Sequence, residues 1–242
     1  MSPRQHIAYA EGIGIHAGPV VLEANLAIPR GALGLVLFAH GSGSSRISPR
    51  NRAVAANLNN SGIATLLVDL LTEEEAAIDS VTAHLRIDIP LLARRLTDAT
   101  DWLMNAPETC RLRIGYFGAS TGAAAALTAA IERPQEVAAI VSRGGRPDLA
   151  RSALPHVLAP TLLIVGGRDA PVIEMNRTAL AELRCEKHMD IVPGATHLFE
   201  EVGALEQVAR LARKWFKRYL EQEPALADSA ASCGRFIHPR GE

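Results

Sequence analysis

The chain has 242 residues, 48% of them hydrophobic, and a formal net charge of −1. That length and apolar content suffice for one α/β domain or two smaller ones, and the near-neutral balance gives no electrostatic reason to expect nucleic acid or an anionic membrane as partner. No apolar run approaches the ~18 residues of a membrane span, and Met1-Ser2-Pro3-Arg4-Gln5-His6 lacks the apolar segment of a secretion signal. Cys110, Cys185 and Cys233 are far apart and make no metal-type pair. Their odd number argues against a disulfide framework and for a cytoplasmic location.

Residues 7–28 read as a hairpin, with Gly12, Gly14 and Gly18 in its turn and partial alternation from Val20 onward. Residues 33–39 form a continuous apolar run, as a strand buried on both faces does. His40-Gly41-Ser42-Gly43-Ser44-Ser45-Arg46 follows at once. It is a polar loop at a strand's carboxyl end, where α/β folds place ligands. It fails the dinucleotide fingerprint, because Arg46 stands where the third glycine belongs, and no Gly-Lys-Ser/Thr makes it a phosphate loop.

A helix over residues 50–60 stops at Gly62, and residues 63–69 form the next strand. The acidic stretch of residues 72–86 reads first as a solvated surface loop and second as a short irregular helix or flap. Residues 90–105 are amphipathic, with Leu92, Leu96, Ala99 and Leu103 on one face. Residues 112–117 make a strand, crossed into Gly118-Ala119-Ser120-Thr121-Gly122 and then an alanine-rich helix ending near Pro134. Strand, glycine-flanked serine turn and helix are the context of a G-x-S-x-G nucleophile elbow.

Three more strands follow. Residues 137–141 run into Ser142-Arg143-Gly144-Gly145-Arg146-Pro147-Asp148, residues 161–165 into Gly166-Gly167-Arg168-Asp169, and residues 186–192 into Pro193-Gly194-Ala195-Thr196-His197. A helix lies near residues 172–183, and Leu205, Val208, Ala212, Trp215 and Tyr219 mark a final one. Strands alternating with helices imply a mainly parallel sheet with helices on both faces. Residues 1–222 are expected to form a single domain, without a large lid, and residues 223–242 a mobile tail.

Ser120, Asp169 and His197 each sit just past an apolar strand, and their chain order is that of α/β-hydrolases. Ser120 is the candidate nucleophile, His197 its base and Asp169 the group that orients the imidazole. The Thr121 N–H and one from Ser42 are the candidate oxyanion donors. Asp69 also ends a strand and is the rival acid, though no glycine turn frames it. His40 is expected to shape its loop, and His84, His156 and His188 to face solvent. Arg46, Arg143 and Arg146 fall in loops at the same edge of the sheet, candidates to pair with a substrate carboxylate or phosphate.

Together, the motifs at residues 40–46, 118–122, 142–148 and 194–197 resemble the dienelactone hydrolase family of α/β-hydrolases, over about residues 30–222. The resemblance is to a bacterial, esterase-like branch with a serine nucleophile. It implies an eight-stranded sheet with one antiparallel strand, neither metal nor organic cofactor, and hydrolysis of an ester or lactone. Dienelactone hydrolases themselves carry a cysteine nucleophile, so Ser120 separates this chain from that substrate while leaving acyl hydrolysis intact. Some members of the branch are joined to a phosphoribosyltransferase domain, but no phosphoribosyl-pyrophosphate loop occurs here. The expected partner is a small soluble ester or lactone. The alternatives are an acyltransferase using the same triad and a non-catalytic binding module on the same fold.

Overall fold

The computed structural model describes residues 6–221. The expected tail at 223–242, and Cys233 with it, lies outside the described residues. Eight strands form one sheet: β1 (Ile7–Ala17), β2 (Val20–Pro29), β3 (Leu35–Ala39), β4 (Ala64–Val68), β5 (Ile114–Ala119), β6 (Val137–Arg143), β7 (Thr161–Gly166) and β8 (Lys187–Val192). Their spatial order is β1-β2-β4-β3-β5-β6-β7-β8. From β4 through β8 each neighbour is parallel, and β2 runs against both β1 and β4. One antiparallel strand in an eight-stranded sheet is the expected architecture.

The helices are α1 (Pro49–Asn59), α2 (Glu73–Thr82), α3 (Ile89–Asn105), α4 (Thr121–Glu132), α5 (Ala170–Glu182) and α6 (Ala204–Leu220). The central strands are buried on both faces because helices cover both. Alternate residues go to opposite layers. Leu35, Leu37, Tyr116, Ile140 and Leu163 pack beneath α3 and α4, against Leu96, Leu103 and Ala126. Val36, Phe38, Phe117, Val141 and Ile164 pack beneath α1 and α6, against Val54, Leu58, Val208 and Phe216. Between β6 and β7 the chain makes only two short 3-10 turns, Pro147–Ala150 and Leu154–His156, so no lid domain is inserted there.

Three expectations are corrected. The hairpin turn is not the whole glycine-rich stretch. β1 continues to Ala17, and Gly12, with φ +66°, sits at a register shift between Ala10 and Ile13, where the ladder absorbs it as a bulge. The acidic stretch is no surface loop, because Glu73–Thr82 forms α2 with a full capping box: Thr72 accepts from the Glu75 N–H, and the Glu75 carboxylate accepts from the Thr72 N–H. Cys110 is disulfide-bonded, against the expectation drawn from the odd number of cysteines, whereas Cys185 is free. Among the described residues no helix is long and apolar enough to cross a membrane.

Candidate active site

β5 ends at Ala119, α4 begins at Thr121, and Ser120 between them holds φ 51° and ψ −119°. A residue with a Cβ adopts that conformation at a cost of roughly 1–3 kcal/mol, so the surroundings must impose it. They do so by close approach. A Cβ on Gly118 would lie 2.4 Å from the Ala123 Cα, and one on Gly122 would lie 2.2 Å from the Ala39 carbonyl oxygen. Only glycine lets β3, β5 and α4 meet there. The Ser120 N–H donates to the Arg143 carbonyl (3.2 Å), and the Ser120 carbonyl accepts from the N–H groups of Ala123 (3.1 Å) and Arg146 (3.0 Å). The turn is therefore fixed from both sides.

Asp169 and His197 come together from adjacent strands. β7 delivers Asp169 to the start of α5, and the loop after β8 delivers His197. The His197 Nδ1 lies 2.7 Å from the Asp169 Oδ2. An ionised carboxylate only accepts, so Nδ1 carries the proton and neutral imidazole keeps its Nε2 lone pair free. The Asp169 side chain is 14% exposed and that of His197 38%, which leaves the ring open to a substrate. The pair is close to the elbow. Arg143 accepts from the Ser120 N–H, and a Cβ on the next residue, Gly144, would lie 3.5 Å from the His197 Cε1.

Two residues that the sequence reading missed hold the histidine loop. The Thr196 N–H donates to both carboxylate oxygens of Glu201 at 3.1 Å. Phe199 has φ 57°, is buried, and donates its N–H to the Thr196 carbonyl. A buried aromatic in that conformation acts as a peg that turns the chain back after His197. No one-dimensional signal marks Phe199, although Glu201 follows Thr196 at a spacing that suits a local loop bond.

The loop after β3 is fastened by His40. Its Nδ1 donates to the Gly41 carbonyl at 3.0 Å, and its Nε2 accepts the Leu70 N–H at 2.9 Å. Accepting at Nε2 needs the neutral ring, and burial lowers its pKa below the usual value. His40 is thus a clasp for the loop, as expected, and not a free base. The Ser42 and Thr121 hydroxyls lie 3.1 Å apart, so the two residues expected to supply the oxyanion donors are neighbours. As the first residue of α4, Thr121 has no intrahelical acceptor for its N–H.

The three arginines part company. Arg46 gives its backbone N–H and Nη1 to Asp69 at 2.5 Å each and also pairs with Glu23. Asp69, the rival acid, is thereby engaged by Arg46. Arg146 forms a bidentate pair with Asp148 at 2.9 and 2.7 Å. Arg143 is not in a loop at all. It is the last residue of β6, in register with Ala119 and Ile164, because the parallel ladder runs two residues further than the apolar pattern. His84, His156 and His188 are exposed as expected.

A cleft of about 900 Å³ opens against the Ser42–Thr121 corner. One wall is α2. It is anchored by Glu75, whose carboxylate pairs with Arg95 at 2.6 Å, and by Asp79, which pairs with Arg86 at 2.6 Å. Arg95 is almost wholly buried and also donates to the Leu70 carbonyl. The acidic segment therefore borders the candidate site, and the signal for it was Thr72-Glu73-Glu74-Glu75, a capping box read as mere charge.

Comparison with known proteins agrees with this fold. The model of the dienelactone hydrolase family matches residues 22–222. A crystal structure of a dienelactone hydrolase from Anabaena variabilis is 61% identical, with a TM-score of 0.86, covering 90% of this chain and all of that one. Est1E from Butyrivibrio proteoclasticus, at 16% identity and a TM-score of 0.73 over 86% of this chain and 98% of its own, shares the fold. A protein of Mycobacterium tuberculosis, named provisionally as a phosphoribosyl transferase, is 55% identical over 210 residues. Those residues are 87% of this chain and 46% of that protein, so the chain spans under half the length of this relative.

Proposed function

The chain belongs to the dienelactone hydrolase family of α/β-hydrolases, and on that premise we propose that it is a serine hydrolase, cleaving a carboxylic ester or lactone of a small soluble substrate through an acyl-enzyme on Ser120. The observation that carries this reading is the Ser120 backbone, held at φ 51° between β5 and α4. Such strain persists where the surroundings over-determine it, and here it lifts a hydroxyl to the carboxyl edge of the sheet.

The chemistry follows from the contacts. His197 takes the Ser120 proton through its free Nε2 as the oxygen attacks the acyl carbon, and later returns a proton to the leaving group. Asp169, 2.7 Å from Nδ1, fixes the tautomer and stabilises the imidazolium that forms. The Thr121 N–H and that of Ser42 receive the charge that develops on the acyl oxygen. Each such donor is typically worth about 100- to 1000-fold in rate. The His40 clasp keeps the second donor's loop in place. Water then enters by the same base to release the acid.

The name of the tuberculosis protein is left to that longer chain. Hydrolysis of short p-nitrophenyl esters between about pH 5 and 9 tests the proposal, wild type beside Ser120→Ala. The expected outcome is turnover that rises with deprotonation of a histidine and is nearly abolished in the variant. Equal rates for the two proteins would remove it.

A further inference from the structure

Two of the three arginines at the carboxyl edge have their charge matched, Arg46 by Glu23 and Asp69, and Arg146 by Asp148. Arg143 has no such match. It is 8% exposed, and its Nε and Nη1 are buried without a hydrogen-bond partner among the described residues. Its guanidinium lies 6.0 Å from the Phe199 ring centroid. The charge it feels is another cation, Arg50, and burial with that repulsion brings its pKa down to about 10. At neutral pH it is still protonated. A desolvated cation beside a second cation is a costly arrangement unless an anion completes it.

The surroundings favour an anion further. Arg50 lies in the first turn of the eleven-residue helix α1, which has no acidic side chain there and no side-chain cap at Ser48. The positive end of that helix is therefore not neutralised from within. Arg50 spends one nitrogen on Glu200, a well-exposed carboxylate, and its Nε is buried without a partner. The position is also chemical: the Arg143 carbonyl accepts from the Ser120 N–H, and a Cβ on Gly144 beside it would lie 3.5 Å from the His197 Cε1. The wide cleft along α2 offers the opposite character. Among its lining residues Glu23, Asp69, Glu73, Glu74 and Asp79 outnumber Arg46 and Arg86.

We infer that Arg143 and Arg50, at the amino end of α1, form a subsite for an oxyanion group, carboxylate or phosphate, carried by the substrate, while its uncharged part lies in the hydroxyl-lined cleft. The link to turnover rests on the hydrolase reading; the subsite itself does not. A guanidinium offers such a group two parallel donors, and Phe199 and the buried strand end hold Arg143 in place for them.

Calorimetric titration of the full chain at low ionic strength, with inorganic phosphate and with succinate as separate probes, tests this. The wild type should bind at least one of them with one-to-one stoichiometry. Arg143→Met should weaken that binding by about tenfold or more, and the more accessible Arg50→Met by about threefold. Which probe binds separates a phosphate-bearing from a carboxylate-bearing substrate. A wild type that binds neither, or binding unchanged in both variants, overturns the subsite. Should Arg143→Met fail to fold, Arg50→Met decides, and unchanged affinity there is again a refutation. Fluorophosphonate labelling of the same preparations keeps the two ideas apart. Anion binding without labelling would end the hydrolase reading alone, and labelling without anion binding would end the subsite alone.

Discussion

Replacing the candidate nucleophile with glycine should make the protein more stable. Ser120 sits at φ 51° and ψ −119°, a region that glycine enters freely and other residues enter under strain of roughly 1–3 kcal/mol. Glycine also gains freedom in the unfolded chain, which takes back about 0.5–1 kcal/mol. The net gain for Ser120→Gly over Ser120→Ala is then about 0.5–2 kcal/mol. The alanine variant is the right reference, because both lack the hydroxyl and differ only in the Cβ that causes the strain. For a chain of this size about 2–4 °C of Tm accompanies each kcal/mol, so the melts should differ by about 1–8 °C. Both variants should be inactive. Thermal melts of the two side by side make the assay. A glycine variant that melts at or below the alanine variant would show that the elbow is relaxed, and the argument from strain to function would lose its footing.

Further outcomes follow from the same contacts. Asp169→Asn should keep the fold and lose about 10⁴-fold in kcat on a p-nitrophenyl ester, since the amide no longer fixes the His197 tautomer; a loss under tenfold would shift the role to another acid. His40 has a folded-state pKa below its unfolded value because of burial. The unfolded chain alone takes up that proton, so stability present above about pH 6.5 is lost as pH falls, by up to about 1.4 kcal/mol per unit. Urea denaturation between pH 7.5 and 5 should show this slope, flattened in His40→Gln, and equal slopes in the two proteins would contradict it. Glu75→Ala should cost about 2–3 kcal/mol, discounted for the partial exposure of Glu75, because it leaves the buried Arg95 guanidinium without its carboxylate. Denaturation of Glu75→Ala and of Glu75→Ala with Arg95→Met checks it: the second change should restore part of the loss, and no recovery would place the cost elsewhere.

What was legible in the sequence was whatever burial writes into a pattern. β3 through β7 are buried on both faces, so each appeared as an unbroken apolar run. Ser120, Asp169 and His197 stood out because each is a polar residue just past such a run. The elbow glycines were legible because the close approach of Ala39 and Ala123 admits no other residue. What stayed hidden depends on partners distant in the chain. α2 looked like solvent-facing charge until Arg95, twenty residues on from Glu75, was seen to receive it. Gly12 looked like a turn, since a bulge and a turn ask for the same backbone. The three arginines were equivalent in one dimension. They became distinct only when Glu23 and Asp69 were found on Arg46, Asp148 on Arg146, and no acid among the described residues on Arg143.

Labelling with a fluorophosphonate, followed by peptide mapping, tests the central claim most directly. One equivalent of adduct on Ser120, strongly slowed in His197→Ala, is the predicted result. A folded wild type that takes no label, or takes it at Ser120 equally fast without His197, would contradict the account.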